Sequence, residues 1–374
     1  MITRDLQAVI ERQLFKGKVI VIYGPRRVGK TTLARQLVDH HPHSRYINCE
    51  LLENKISLET TSSYALRGFL GNYRLILLDE AQQINDIGRV LKIIADTFPE
   101  IQLIATGSSS FELGNRVSES LTGRSREYFL FPFSLNELAN NKDRITVNAG
   151  IDSFLRFGLY PEVYGKTEEE AIEELSQISS NYLYKDVLHF ELIKRPNLLI
   201  NLLNALALQI GSEVSMNELS RMLGETVPTI QRYIELLEKA FVIFRLRSFS
   251  RNLRKEIAKG YKIYFYDLGI RNALIRNFNP LNLRNDTGTL WENFCMVERM
   301  KFNMNRRRFV NSWFWRTYDQ KEVDYIEEEA GKIIAVEFKY KSTGKSRGIK
   351  EFQNAYPDIS SLVVTRDNIW EFVV

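Results

Sequence analysis

Three groups of residues in this 374-residue chain have types and spacings suited to chemistry on phosphates. The first is Gly24-Pro25-Arg26-Arg27-Val28-Gly29-Lys30-Thr31-Thr32. Its glycines let backbone N–H groups turn inward around phosphate oxygens, Lys30 supplies charge, and the Thr31 hydroxyl is a ligand for Mg²⁺. The second group is Asp79-Glu80, which ends an apolar run about fifty residues downstream. Asp79 is suited to holding Mg²⁺, usually through water, and Glu80 to polarising an attacking water as general base. The third is Asp324 with Glu337-Phe338-Lys339. Two carboxylates and a lysine on one face can hold Mg²⁺ and orient a water for in-line attack on a phosphodiester.

Each group needs elements to position it. Val19-Ile20-Val21-Ile22-Tyr23 reads as a buried strand leading into the glycine loop, and the pattern after Lys30 reads as a helix, the strand-loop-helix setting of a P-loop. Leu75-Ile76-Leu77-Leu78 reads as a parallel strand that carries Asp79 and Glu80 to the carboxyl edge of the same sheet. A further strand, residues 101–105, runs into Thr106-Gly107-Ser108, so Thr106 or Ser108 is the candidate sensor of a γ-phosphate. Arg124, with Arg126 as alternate, opens an edge strand from which an arginine can reach a neighbouring site as a charge-stabilising finger. Period-2 alternation puts Glu337 and Lys339 on one face of a strand, with Asp324 on the preceding strand at hairpin spacing.

Between these groups the chain reads as helices from Ser134 to about Leu208, the clearest opening at Thr167 with acids in its first turn. They fit a lid over a nucleotide. Residues 214–224 and 227–240 have helix-turn-helix spacing, and 241–247 with 261–266 would form a two-stranded wing, giving a winged helix. In a DNA-reading version Thr226, Thr229, Gln231 and Arg232 face the groove, while Arg251, Arg254 and Lys255 contact phosphates.

Net charge is +5. Much of the excess lies between Arg245 and Lys262, where seven basic residues, Lys259 among them, stand against Glu256 alone. A basic stripe of this kind fits a nucleic-acid backbone. Lys341 and Lys345 would add backbone contacts beyond the last strand. No stretch approaches the roughly 18 apolar residues of a membrane span, and the first residues lack a signal-peptide apolar core, so a cytoplasmic protein without membrane contact is expected. Cys49 and Cys295 read as small core residues.

The P-loop, the Leu-Leu-Asp-Glu strand, the Ala-Thr-Gly-Ser-Ser strand end and Leu121-Thr122-Gly123-Arg124 followed by Phe131-Pro132-Phe133-Ser134 resemble a prokaryotic family of AAA+-superfamily ATPases with a C-terminal DUF4143 domain. Phe157-Gly158-Leu159-Tyr160-Pro161-Glu162 is similar to that family's Gly-Gly-Tyr-Pro-Glu box. The Asp…Glu-X-Lys group resembles the PD-(D/E)XK, restriction-endonuclease-like fold, in which an upstream helical acid, here Glu292, assists; Val323 stands where that motif has a loosely held proline. The resemblance implies ATP and Mg²⁺ as cofactors.

The expected architecture is α/β: a P-loop NTPase parallel sheet over residues 1–135, a helical lid over 136–205, a winged helix over 206–266 and a small restriction-endonuclease-like domain over 267–374. The nucleotide-binding set is Gly24 to Thr32 with Asp79, Thr106 and Ser108. The expected catalytic residues are Glu80, Arg124, Asp324, Glu337 and Lys339, and the metal ligands Thr31, Asp79, Glu292, Asp324 and Glu337. The expected function is an ATPase that associates with DNA and couples nucleotide state to a metal-dependent nuclease-like domain; a homo-oligomer would let Arg124 act between chains. The competing expectation is a nucleotide-gated DNA- or protein-binding switch whose nuclease-like domain is inactive.

Overall fold

The structure, a computed structural model, describes residues 2–107, 121–182, 195–250, 260–317, 319–341 and 347–374. The chain divides into two compact units. The first comprises Met1–Phe133 with Lys239–Phe241, the second Ser134–Glu238 with Val242–Val374.

The first unit is built on a five-stranded sheet, β1 (Val19–Tyr23), β2 (Ser44–Asn48), β3 (Leu75–Asp79), β4 (Gln102–Gly107) and β5 (Ser125–Phe129), in the order β2-β3-β4-β1-β5. Every pairing is parallel. β1, β3 and β4 read as continuous apolar runs because a parallel sheet with helices on its faces buries both sides of its central strands. The pairs Tyr23↔Gly107 and Asn48↔Asp79 set the carboxyl ends of the strands side by side. That common edge is where ligands bind in open α/β sheets. The helix Lys30–Asp39 starts there, and Leu33, Ala34, Leu37 and Val38 bury one face of it.

The second unit carries a seven-stranded mixed sheet of β6 (Glu213–Val214), β7 (Ile243–Ser248), β8 (Tyr261–Phe265), β9 (Asn311–Arg316), β10 (Glu322–Glu329), β11 (Lys332–Phe338) and β12 (Ser360–Val364). Its order is β12-β11-β10-β9-β7-β8-β6. The helices Met216–Leu223 and Val227–Lys239 occupy the expected helix-turn-helix positions, and β7 and β8 pair as an antiparallel hairpin. That hairpin is not a free wing. β7 runs parallel to β9 through Arg247↔Trp313 and Ser248↔Phe314, so the strands expected of separate domains form one ladder. Apart from Lys239–Phe241, the segments expected as lid, winged helix and C-terminal domain fall in a single unit, and the helices from Leu135 to Gln177 group with it.

Two local sequence features set this architecture. Thr167 Oγ1 accepts from the Glu170 backbone N–H while the Glu170 carboxylate accepts from the Thr167 N–H, so the Thr cap expected for the helix Glu168–Gln177 is reciprocal. Ala330 and Gly331 both adopt positive φ between Glu329 and its partner Lys332, so β10 and β11 join through the tight turn that matches strand twist. Cys49 and Cys295 are both buried. Among the described residues no helix is long and apolar enough to cross a membrane.

Candidate functional site

The loop between β1 and its helix has the backbone of a phosphate cradle. Gly24 has φ +151°, and a Cβ there would lie 2.2 Å from the Leu130 carbonyl oxygen; Gly29 has φ +92°. Arg27 is also left-handed, at φ 62°. Lys30, 5% exposed, donates from Nζ to the carbonyls of Gly24 at 3.0 Å and Pro25 at 2.7 Å. Val28 is fully buried and Thr32 exposed. Arg4, which sequence reasoning missed, lies buried against the loop and donates to the Val28 carbonyl at 2.8 Å and to that of Phe131. Its only sequence signal is a position just before the first short helix.

Asp79, buried at the end of β3, gathers hydroxyl groups. Thr31 Oγ1 lies 2.9 and 3.0 Å from its two oxygens, Tyr46 Oη donates at 2.9 Å and Thr106 Oγ1 at 2.5 Å. Thr106, fully buried on β4, also accepts from the Glu80 backbone N–H at 3.1 Å. It therefore touches both acids from the strand between β1 and β3. Glu80 is left-handed at φ 53° and takes a hydrogen bond from Gln82. The donor set fits ATP with Mg²⁺: an inward-turned loop with a buried ammonium, a hydroxyl on a carboxylate, and a second carboxylate beside it.

Arg124 stands elsewhere. Its carbonyl accepts from Val19 N–H at the first residue of β1, whereas the P-loop leaves the last. Five residues of strand, about 16 Å, separate the two edges. Its guanidinium is exposed and paired with Asp96 at 2.6 Å. A catalytic Arg124 is thus out of reach of its own P-loop and would serve only the P-loop of another chain. Ser108 lies outside the described residues, as do Arg251, Arg254, Lys255, Lys259 and Lys345.

The second unit holds a separate acidic centre. One oxygen each of Glu292, Glu322 and Asp324 lie within 4.8 Å of one another, the one such acidic group of three among the described residues. Glu292 comes from the helix Thr287–Asn305, and Glu322 and Asp324 from one face of β10. The expected trio was Glu292, Asp324 and Glu337; Glu337 sits beside the group on β11, where the Tyr325↔Val336 pairing puts it opposite Asp324. Glu337 Oε1 takes Lys339 Nζ at 2.5 Å, while its buried Oε2 has no hydrogen-bond partner. Glu322 was missed, although its position two residues before Asp324 on a strand was the available signal. Asp324 accepts from the Phe338 N–H at 2.8 Å.

The largest departure from expectation is Lys262. It was counted with the basic wing, yet it is 1% exposed. It donates to Glu292 Oε1 at 3.0 Å and to Glu322. Tyr264 Oη, two residues along β8, donates to the same Glu292 oxygen at 2.6 Å. Arg245, another expected wing cation, is paired with Glu238.

The electrostatics follow from this crowding. Burial lowers the affinity of Lys262 for its proton, but the Glu292 and Glu322 carboxylates reverse that and hold it above the ordinary lysine value. Burial and the Glu292 charge push the Asp324 carboxyl well above the usual range. Lys339 is raised because its bond to Glu337 and the charges of Asp324 and Glu292 outweigh burial.

Two other expected features have structural roles. A Cβ at Gly158 would lie 2.1 Å from an Asp267 oxygen, and Asp267 accepts from Leu159 N–H at 2.8 Å and from Ile270 N–H, capping the next helix. The Gly-containing box at 157–162 therefore fastens two helices together. Thr226 Oγ1 accepts from Thr229 N–H at the start of the helix Val227–Lys239, leaving Gln231 and Arg232 exposed on it. Lys341 lines a cavity of about 460 Å³ with Thr365 and Arg366.

Comparison with known proteins separates what these sites share with others. Residues 16–139 match a family described as an AAA domain, and residues 148–281 and 287–371 match two domains of unknown function, DUF8612 and DUF4143. An uncharacterized protein of Mycobacterium tuberculosis is 28% identical over 346 residues, covering 91% of this chain and 74% of the relative. An uncharacterized protein of Methanocaldococcus jannaschii is 26% identical over 383 residues, covering 96% and 82%. Among solved structures, a Walker-type ATPase of Pyrococcus abyssi superposes with a TM-score of 0.50 at 16% identity, over 74% of this chain and 96% of that one. At that identity the likeness speaks to fold. Together with the P-loop geometry, these matches support an AAA-type ATPase followed by a DUF4143 domain.

Proposed function

We propose that the chain is an ATP- and Mg²⁺-dependent ATPase that associates with DNA, and that its nucleotide state governs a metal-dependent phosphodiester-cleaving centre in the second unit. The observation that carries the second half is one sheet face where Asp324 and Glu322 of β10, Glu337 and Lys339 beside them, and Glu292 from a helix converge. A divalent cation on these oxygens would activate a water and neutralise a phosphodiester, while Lys339 would stabilise developing charge. The charge balance is compatible. Glu213, Glu292, Glu322, Asp324 and Glu337 face Lys262, Arg316 and Lys339 through the contacts described and the Arg316 pairs with Glu213 and Glu322. Five carboxylates against three cations leave two negative charges when all are ionised, the charge of one divalent ion. In the first unit, Lys30 and the loop N–H groups hold phosphates, Thr31 and Asp79 hold Mg²⁺, Glu80 activates water and Thr106 senses the γ-phosphate. DNA association is supported by the exposed Gln231 and Arg232 on the second helix of the helix-turn-helix pair.

The test is a cleavage assay on DNA with Mg²⁺ or Mn²⁺, with and without ATP, comparing the wild type with Asp324→Asn. Metal-dependent cutting lost in the variant is expected. Uncut DNA under every condition supports the second reading, a nucleotide-gated switch with an inactive centre. The buried Lys262 favours that reading, because it already supplies a cation to two of the carboxylates.

A further inference from the structure

β8 belongs to the segment matching DUF8612, whereas Glu292, Glu322, Asp324, Glu337 and Lys339 belong to the segment matching DUF4143. The acidic centre is therefore composite: Lys262 and Tyr264 enter it from outside the C-terminal segment. A lysine ammonium is a compact, strongly hydrated point charge, and burying one beside carboxylates fixes both partners in place. Here it consumes one oxygen of Glu292 and one of Glu322, and Tyr264 loads the same Glu292 oxygen. On the opposite side the arrangement is unfinished. Glu337 is 8% exposed, lies across from Asp324, and keeps a buried oxygen with no hydrogen-bond partner. A buried carboxylate oxygen left unpaired is costly and calls for a ligand.

We infer that Lys262 fills one of two cation positions in this centre as a fixed charge, so that the centre takes a single divalent cation, on the Asp324 and Glu337 side. This rests on the metal-dependent reading above and adds the number of ions and the residue that sets it. Lys262 is then a positioning residue: it holds Glu292 and Glu322 apart from the reacting ion and keeps the residual charge at two. The segment 287–371 alone would lack it.

The test counts bound Mn²⁺ by electron paramagnetic resonance on the nucleotide-free full chain. An Asp79→Asn background removes the P-loop as a competing site. With Lys262 intact, one equivalent is expected to bind, and to be lost in Asp324→Asn. Lys262→Arg keeps the charge and should stay at one, whereas a folded Lys262→Gln should gain a second equivalent. Two equivalents with Lys262 intact, none at all, or one in a folded Lys262→Gln would overturn the inference. Should Lys262→Gln not fold, the counts for Lys262 and Lys262→Arg decide. The cleavage assay run alongside separates the two ideas. Two equivalents with cutting sinks only the single-ion inference, and one equivalent without cutting sinks only the nuclease reading.

Discussion

At the P-loop, the ammonium and the carboxylate both have neutral oxygen partners. Lys30 turns to the carbonyls of its own loop, and Asp79 is surrounded by the hydroxyls of Thr31, Tyr46 and Thr106. In the second unit the ammonium lies on the carboxylates themselves, Lys262 on Glu292 and Glu322. Hydroxyls and carbonyls release their partners at little cost when a phosphate and Mg²⁺ arrive, so the first site is built for exchange. A buried ion pair holds its members, because removing either leaves an uncompensated charge. The second site is therefore partly structural, and the exchangeable part is confined to Asp324 and Glu337.

The sharpest way to break this contrast is to neutralise each lysine in turn. Lys262→Met should destabilise the second unit by about 3–5 kcal/mol, the cost of stranding a buried charge, in urea or thermal unfolding. Lys30→Met should leave stability nearly unchanged but reduce ATP hydrolysis by roughly 10²–10³-fold, the scale of losing a preorganised charge contact. Equal stability losses would mean that the two lysines are not used differently. Asp324→Asn should leave ATP hydrolysis intact while abolishing Mn²⁺-dependent cleavage, a loss of roughly 10²-fold or more if the ion supplies several kcal/mol.

A smaller effect concerns the support beneath Glu292. Asp286, at the start of its helix, is held at about 2 because its bonds to Arg284 and Arg271 outweigh burial. Its folded value lies below the unfolded one, so its contribution is present above about pH 4 and is lost as pH falls toward 2. Asp286→Asn should cost about 1–2 kcal/mol at pH 7, discounted for partial exposure, and the difference from wild type should begin to shrink below about pH 4 and close near pH 2 in acid unfolding. The smallest effect should come from Arg124→Ala. The exposed pair with Asp96 is worth about 0–1 kcal/mol, and hydrolysis at low protein concentration should stay within about twofold. A concentration-dependent rate loss would instead restore Arg124 as a finger acting between chains.

How legible each site was follows from how it is assembled. The P-loop's nucleotide set lies in one contiguous motif plus strand ends, and a parallel sheet delivers strand ends to a common edge, so Lys30, Thr31, Asp79 and Thr106 could be placed from local pattern alone. The acidic centre draws on a helix, β8, β10 and β11. Spacing within the β10–β11 hairpin gave Asp324, Glu337 and Lys339, and strand alternation carried enough information for Glu322. Nothing local identifies Lys262. A lysine in a basic run looks like a surface cation until the tertiary fold buries it, which takes Lys262 out of the seven cations counted for the wing. The joining of the expected wing to the C-terminal strands was hidden for the same reason: the parallel β7–β9 contact pairs residues more than sixty positions apart.

That contact also bears on how the protein is made. The second unit's sheet pairs strands separated by long stretches of chain, and such pairings close late and slowly. During synthesis Lys262 emerges before its carboxylate partners, and the β10–β11 hairpin can add Glu337 and Lys339 only after Gly331 has turned. The first unit's strands are complete by Phe129, so a nascent chain can fold its nucleotide-binding sheet while the acidic centre is still unformed. The order of translation thus completes every strand of the nucleotide-binding sheet before any residue of the acidic centre is made.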